Sequence, residues 1–288
     1  MSDAAGTGGP VYETEQPVRY ERRDDLAIVS LDRPRFGNAQ NAQLLYALDE
    51  AFARAAADEA VKAIVLRGEG RHFSSGHDIG TPGCDFGASW PDRRSLWYDH
   101  VGTAGAETNY VREQESYLGL CRRWRALPKP MVAAVQGACI AGGLMLAWVA
   151  DMIVAADDAF FSDPVLAMGV PGVEYFAHVY EMHPRIAREF LYLGERMPAE
   201  RAYQLGMVNR VVSRDALDNE AMAMATKAAK APRFALALAK QAFNQLEDLA
   251  GKRAGMDAVF SLHHLAHAHN QLTGDWLGGV RADAIKQR

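Results

Sequence analysis

The chain has 288 residues, with 31 Lys and Arg against 36 Asp and Glu for a net charge of −5, 49% hydrophobic and 23% charged residues, and only 3 Cys. Length and composition allow a core of ordinary size and exclude a disordered chain, while the slight acidic excess argues against nucleic acid or an anionic membrane as a partner. Cys84, Cys121 and Cys139 form no paired framework and lack the CxxC spacing of a zinc site, and no charged segment followed by an apolar one opens the chain, so a reducing, cytoplasmic location is expected.

Residues 1–17 are rich in Gly, Ala and Pro, are aperiodic, and read as a flexible tail. The spacing predicts a core over 18–213. Within it, LAIVSL (26–31) and AIVLR (63–67) read as short buried strands, and between them Leu44, Leu45, Leu48, Ala51, Phe52 and Ala55 recur at helical spacing. A Gly/Ser-rich loop, GEGRHFSSGHDIG, follows. Residues 80–116 are a long polar stretch with Pro82, Pro91, Phe86, Trp90, Trp97, Tyr98 and Tyr110, which reads as a loop covering a pocket. Past Lys129-Pro130 the pattern predicts MVAAVQG as a strand, GGLMLAWVAD as a helix, MIVAAD as a strand, and AFFSDPVLAMG as a strand end passing into a helix. From 214 to 288 the chain reads as a helical region serving oligomerisation. The fold class is therefore α/β.

One stretch resists this reading on length alone. Met131 to Ala150 carries no charge over twenty residues, enough to span a bilayer. A mean hydropathy of −0.18, the lack of a second such stretch and the interruptions at Gly137, Gly142 and Gly143 favour a strand followed by a buried helix instead. Ala141-Gly142-Gly143 then stands where a strand enters a helix, with backbone N–H groups pointing outward and no Cβ in the way, as an oxyanion or phosphate would require. The phosphate version fails, because no Lys-Ser/Thr follows and GxGxxG spacing is absent. Close packing of strand on helix is the other reading of these glycines.

Three motifs in order, HFSSGHDI (72–79), KPMVAAVQGACIAGGLMLAWVADMIVAADDAFFSDP (129–164) and LYLGERMPAERAYQLGMVNRVV (191–212), together with Arg33, Pro34, Asn38 and Ala39 as an RP…NA element, resemble the crotonase (enoyl-CoA hydratase/isomerase) superfamily over about residues 26 to 250. The resemblance implies a spiral of ββα units with a C-terminal helical region, assembled as a homotrimer or a pair of trimers, acting on acyl-CoA thioesters, with CoA part of the substrate and no other cofactor. It also implies an oxyanion hole made by the backbone N–H groups of His77 and Gly142, each worth about 3–4 kcal/mol to a developing enolate oxygen. The His77 imidazole either fills space or joins the chemistry as an acid/base. Arg35, Ser75, Asp78, Ile79 and Gly143 are the positions expected along the CoA and thioester channel.

The sequence also departs from the family. Its hydratases carry two glutamates that position and activate water, and the matching positions here are Met145 and Val165. General acid–base groups contribute about 10²–10⁴-fold, so standard hydration should be nearly silent. Glu174 is the best substitute, with a solvated or salt-bridged Glu as the alternative. Asp163 reads as an N-cap before Pro164, and His178 as a group that could orient or supplement Glu174. A non-catalytic acyl-CoA-binding member of the family is the second function these losses allow. Finally, His263 and His267 are four apart on a predicted helix with His264 and His269 nearby; this spacing can bind zinc, but without a third ligand in sight no metal is expected and a helix packed at a subunit interface explains it.

Overall fold

The computed structural model describes residues 16–79, 103 and 105–274. Most of the expected tail, the residues 80–102 with Phe86, Trp90, Trp97, Tyr98 and Cys84, and the end of the C-terminal region lie outside the described residues.

In chain order, β1 (Val18–Arg23) and β2 (Leu26–Leu31) form a hairpin, followed by α1 (Ala42–Ala57) and β3 (Ala63–Gly68). Next come α2 (Ala106–Glu113), a π-helical turn over Gln114–Gly119, and α3 (Leu120–Arg125). The central part is β4 (Met131–Val135), β5 (Ala138–Ile140), α4 (Gly142–Trp148), β6 (Met152–Ala156) and β7 (Phe160–Ser162). After α5 (His178–Glu181) and α6 (Pro184–Leu193) come β8 (Met197–Pro198), α7 (Ala199–Gln204) and β9 (Arg210–Val212), and the chain closes with α8 (Leu217–Ala229), α9 (Arg233–Leu249) and α10 (Lys252–Thr273). A six-stranded sheet has the order β1-β2-β3-β4-β6-β9, and a second sheet has the order β5-β7-β8. All pairings in the large sheet are parallel except β1 with β2. This is the α/β spiral with a helical C-terminal region that the motifs imply.

Why these residues give these elements is plain from burial. A parallel sheet covered on both faces needs strands apolar at every position. LAIVSL and MVAAV are buried throughout. Alternate residues then serve different layers: Ala27, Val29, Leu31, Ile64, Leu66, Ala133 and Val135 join the larger core that includes α1, whereas Leu26, Ala63, Val65, Val132, Ala134 and Val154 pack with α8. Helix α8 meets the sheet through Leu217, Ala221, Ala225 and Ala229, a four-residue repeat of mostly small side chains that brings its backbone close. Helix α1 buries the six residues its spacing predicts and starts at Asn41, whose side chain accepts the Leu44 N–H at 2.9 Å.

The uncharged stretch from Met131 to Ala150 resolves into β4, β5 and α4, and no helix among the described residues is long and apolar enough to cross a membrane. Two local expectations are corrected. The segment after β7 is a single 3-10 turn, Val165–Met168, and Asp163 does not cap it. Asp163 is fully buried, with Oδ2 2.8 Å from His178 Nε2 and Oδ1 without a hydrogen-bond partner among the described residues, so the carboxylate faces His178 rather than the backbone of the turn. The supposed loop over 80–116 is helical from Ala106 onward.

Candidate active site

The site is built around the segment 72–78, which runs between the start of α1 and β5. Gln40 N donates to Gly76 O at 2.8 Å and Asp78 N to Gln40 O at 3.0 Å on one side, while Ser74 N donates to Ala138 O and Ile140 N to Ser74 O, both at 3.1 Å, on the other. The RP…NA element locks this segment from behind. The Asn38 amide donates to Glu69 O and His72 O, and Arg33 Nη1 lies 2.9 Å from Asp78 Oδ2, both side chains only 2% exposed. Asp78 is thereby removed from the substrate channel, contrary to expectation: its carboxylate is spent on Arg33. Arg35 and Ser75 are exposed at the surface end of the segment, with Ser75 Oγ on Phe36 O at 3.3 Å, and Ile79 lies on the cavity wall.

Segment and turn touch closely. A Cβ on Gly76 would stand 3.2 Å from Gly142 N and 2.8 Å from Ile140 O, and one on Gly143 would stand 2.5 Å from Ser74 O, so neither glycine tolerates a side chain. Gly76 also has φ +96°, open to glycine alone. Ala141, just before α4, sits at φ 48° and ψ −114°, a strained conformation that costs about 1–3 kcal/mol and recurs at functional sites. Among the described residues, the N–H groups of His77 and Gly142 donate to no protein acceptor.

The His77 ring is held on three sides. Nε2 lies 2.9 Å from Glu174 Oε2, and the ring stacks on Tyr117 with centroids 3.7 Å apart and planes 19° from parallel. Its other nitrogen, Nδ1, is buried without a partner and sits so close to Gly142 that a Cβ on that glycine would be 2.6 Å away. In the tautomer that donates Nε2–H to Glu174, Nδ1 keeps a free lone pair beside the turn. Burial disfavours the Glu174 carboxylate, but His77 and His263 outweigh it and hold the carboxyl below its ordinary range.

His77, Ile79, Val165 and Glu174 face a cavity of about 600 Å³ counting its open mouth, also lined by Asn109, Arg112, Glu113 and Tyr117 from α2 and the π-helical turn, and by His263 and His267 from α10. Val165 lines the cavity, whereas Met145, the other position at which the resemblance leads one to expect a carboxylate, is buried within α4. His178 neither orients nor supplements Glu174; it belongs to Asp163. Helix α10 packs on α2 of its own chain, and His263, His264 and His267 all turn toward Glu113 Oε2, at 3.4, 3.3 and 3.5 Å. Burial works against a charged His263, yet Glu113 and Glu174 raise it to about 9, while burial pushes His264 down to about 4. Glu113 escapes a reading of the sequence because it lies in a polar stretch far from the histidines; only its helical spacing from Asn109 hints at a shared inward face.

The two-sheet α/β spiral with a C-terminal helical region is a fold shared with proteins of known family. The enoyl-CoA hydratase/isomerase family model matches residues 21–85 and 100–274, and the chain belongs to that family. It is 39% identical over 298 residues to a Mycobacterium tuberculosis protein bearing the enoyl-CoA hydratase name EchA13, covering 94% of this chain and 92% of that one. It is also similar to the crystal structure of a probable enoyl-CoA hydratase from Mycobacterium smegmatis, with TM-score 0.82, 43% identity, and 92% and 99% of the two chains covered. An enoyl-CoA hydratase/isomerase from Xanthobacter autotrophicus Py2 superposes with TM-score 0.80 at 30% identity over 95% and 96% of the chains.

Proposed function

We propose that the protein transforms an acyl-CoA thioester through an enolate, with the N–H groups of His77 and Gly142 receiving the thioester oxygen and the His77–Glu174 pair moving the proton. The observation that carries this reading is the 2.9 Å contact of His77 Nε2 with Glu174 in the cavity, which leaves Nδ1 free beside Gly142. A carboxylate fixing one imidazole nitrogen so that the other can act on substrate is a recurring arrangement for general base catalysis. Here Glu174 orients and His77 exchanges the proton, a division that refines the expectation of Glu174 as the acid/base itself. It also explains how hydration, lyase or isomerase chemistry survives Met145 and Val165: proton transfer has moved to the segment that supplies the first N–H. Donors fixed in a rigid turn stabilise developing charge without reorganising, worth about 3–4 kcal/mol each. The same reading includes a homotrimer or a pair of trimers in solution.

The test is turnover of a panel of enoyl-CoA esters by wild type, His77→Ala and Glu174→Gln. His77→Ala keeps the backbone N–H and removes the ring, so a fall of about 10²–10⁴-fold in kcat with a nearly unchanged dissociation constant for the ester is expected, and Glu174→Gln should fall in the same direction. Equal rates in all three proteins would remove the pair from the mechanism. Ester binding without turnover by wild type would favour a non-catalytic acyl-CoA-binding protein.

A further inference from the structure

The cluster around Glu113 is not used by the proton transfer above, and its geometry is unusual for side chains that merely pack. His263 Nε2 and His267 Nε2 are 2.9 Å apart, and they lie 3.4 and 3.5 Å, respectively, from Glu113 Oε2. The three atoms form a triangle whose edges match the separation of about 3.3 Å between donors of a tetrahedral ion bound at about 2.0–2.1 Å. Two supports are independent of that triangle. Glu113 is 3% exposed, and its Oε2 has no hydrogen-bond partner of ordinary geometry, while Arg112 occupies Oε1 at 3.2 Å. His263 Nδ1 lies 2.9 Å from Gly172 O, so the backbone accepts the Nδ1–H, and a cation that displaces the Nε2 proton to solvent meets a lone pair turned to the cluster, the usual support of a metal-ligating imidazole.

We propose that Glu113, His263 and His267 form a binding site for a zinc-class divalent cation, with its remaining coordination open to the same cavity that His77 and Glu174 line. The i, i+4 spacing on α10 supplies two ligands from one helix face, and α2 supplies the third. Two imidazoles and one carboxylate with an open position are a donor set that zinc and its first-row neighbours accept. The expectation of no metal, which follows from the lack of a third ligand near the histidines in the sequence, is thereby revised, because the missing ligand comes from a distant helix. His264 Nε2 lies 3.3 Å from Glu113 Oε2 but is not one of the three groups that converge.

The test does not depend on turnover. The full-length protein is stripped with chelator, dialysed, and titrated with Zn²⁺ alone and with Co²⁺ alone, reading stoichiometry by elemental analysis and the visible bands of the cobalt form. One equivalent per chain and intense bands typical of four- or five-coordinate cobalt are expected. His267→Ala, whose side chain is partly exposed, and the isosteric Glu113→Gln should each weaken binding at least tenfold with folding verified by circular dichroism, while the exposed His269→Ala should not. Binding below one equivalent in wild type, or equal affinity in wild type, His267→Ala and Glu113→Gln, would overturn the site and leave the two imidazoles sharing a proton. If Glu113→Gln fails to fold, the His267→Ala comparison decides.

Discussion

His77 is tied into the molecule through two different parts of itself. Its neighbours Gly76 and Asp78 are pinned to Gln40 through the backbone, and its ring is pinned to Glu174 and Tyr117. The backbone placement serves the N–H and the ring placement leaves Nδ1 free, so one residue can supply both an electrostatic and a proton-transfer function. This arrangement depends on the glycines that let the two segments touch. A Cβ on Gly143 would fall 2.5 Å from the Ser74 carbonyl, which is backbone and cannot swing away. Gly143→Ala is therefore expected to lose about 1–3 kcal/mol of stability, measured as a lower urea midpoint at unchanged slope. At this scale the sequence is legible where the chemistry is local. HFSSGHDI and IAGG point to His77 and Gly142 by motif, and Glu174 stands out by its place in the segment. Asp78 is misread because its partner, Arg33, lies in another motif, and Asp163 because its partner, His178, lies 15 residues on, beyond the turn.

Among the elements, the regular ones follow from pattern and the irregular ones do not. Leu44, Leu45, Leu48, Ala51, Phe52 and Ala55 announce α1 because a 3.6-residue period admits few other folds. The turn at Val165–Met168 has no such period, and the helix α2 hides in a stretch whose inward residues, Asn109, Arg112 and Glu113, are polar because they face a cavity. The hairpin of α9 and α10 is held by charge. Lys252, 5% exposed, lies 3.3 Å from Glu181 and 2.9 Å from Glu247. Burial raises Glu181 above its ordinary value, whereas at Glu247 burial is outweighed by Lys252 and Arg125, which hold the carboxyl low. Without the cation, both folded carboxyls would bind protons more readily, so a Lys252→Met variant should be most destabilised where they must ionise. The stability gap between wild type and Lys252→Met is expected to widen from about pH 4 to pH 7, reaching about 1–3 kcal/mol after allowance for the half-exposed Glu247. A gap independent of pH would show that Lys252 acts through packing.

For the whole molecule, the sheet and its two helical layers set the site where α1, β5, α4 and α10 converge, so fold and function rest on the same backbone. Helix α9 buries little of itself: Lys240 is buried, while Phe234, Phe243, Leu246 and Leu249 are exposed. An apolar face of this kind fits assembly of like chains, and light scattering on the purified protein should give a mass three or six times the 31.5 kDa of one chain. A monomer at micromolar concentration would contradict that expectation. On the proposed reading this chain makes and holds an enolate, with His77 as the proton carrier. This is tested most directly by following exchange of the α-protons of saturated acyl-CoA thioesters of several chain lengths in D₂O by NMR. Wild type should wash deuterium into the α-carbon of at least one ester well above the buffer rate, and His77→Ala should lose about 10²–10⁴-fold of that exchange. Exchange that persists undiminished in His77→Ala would contradict the claim.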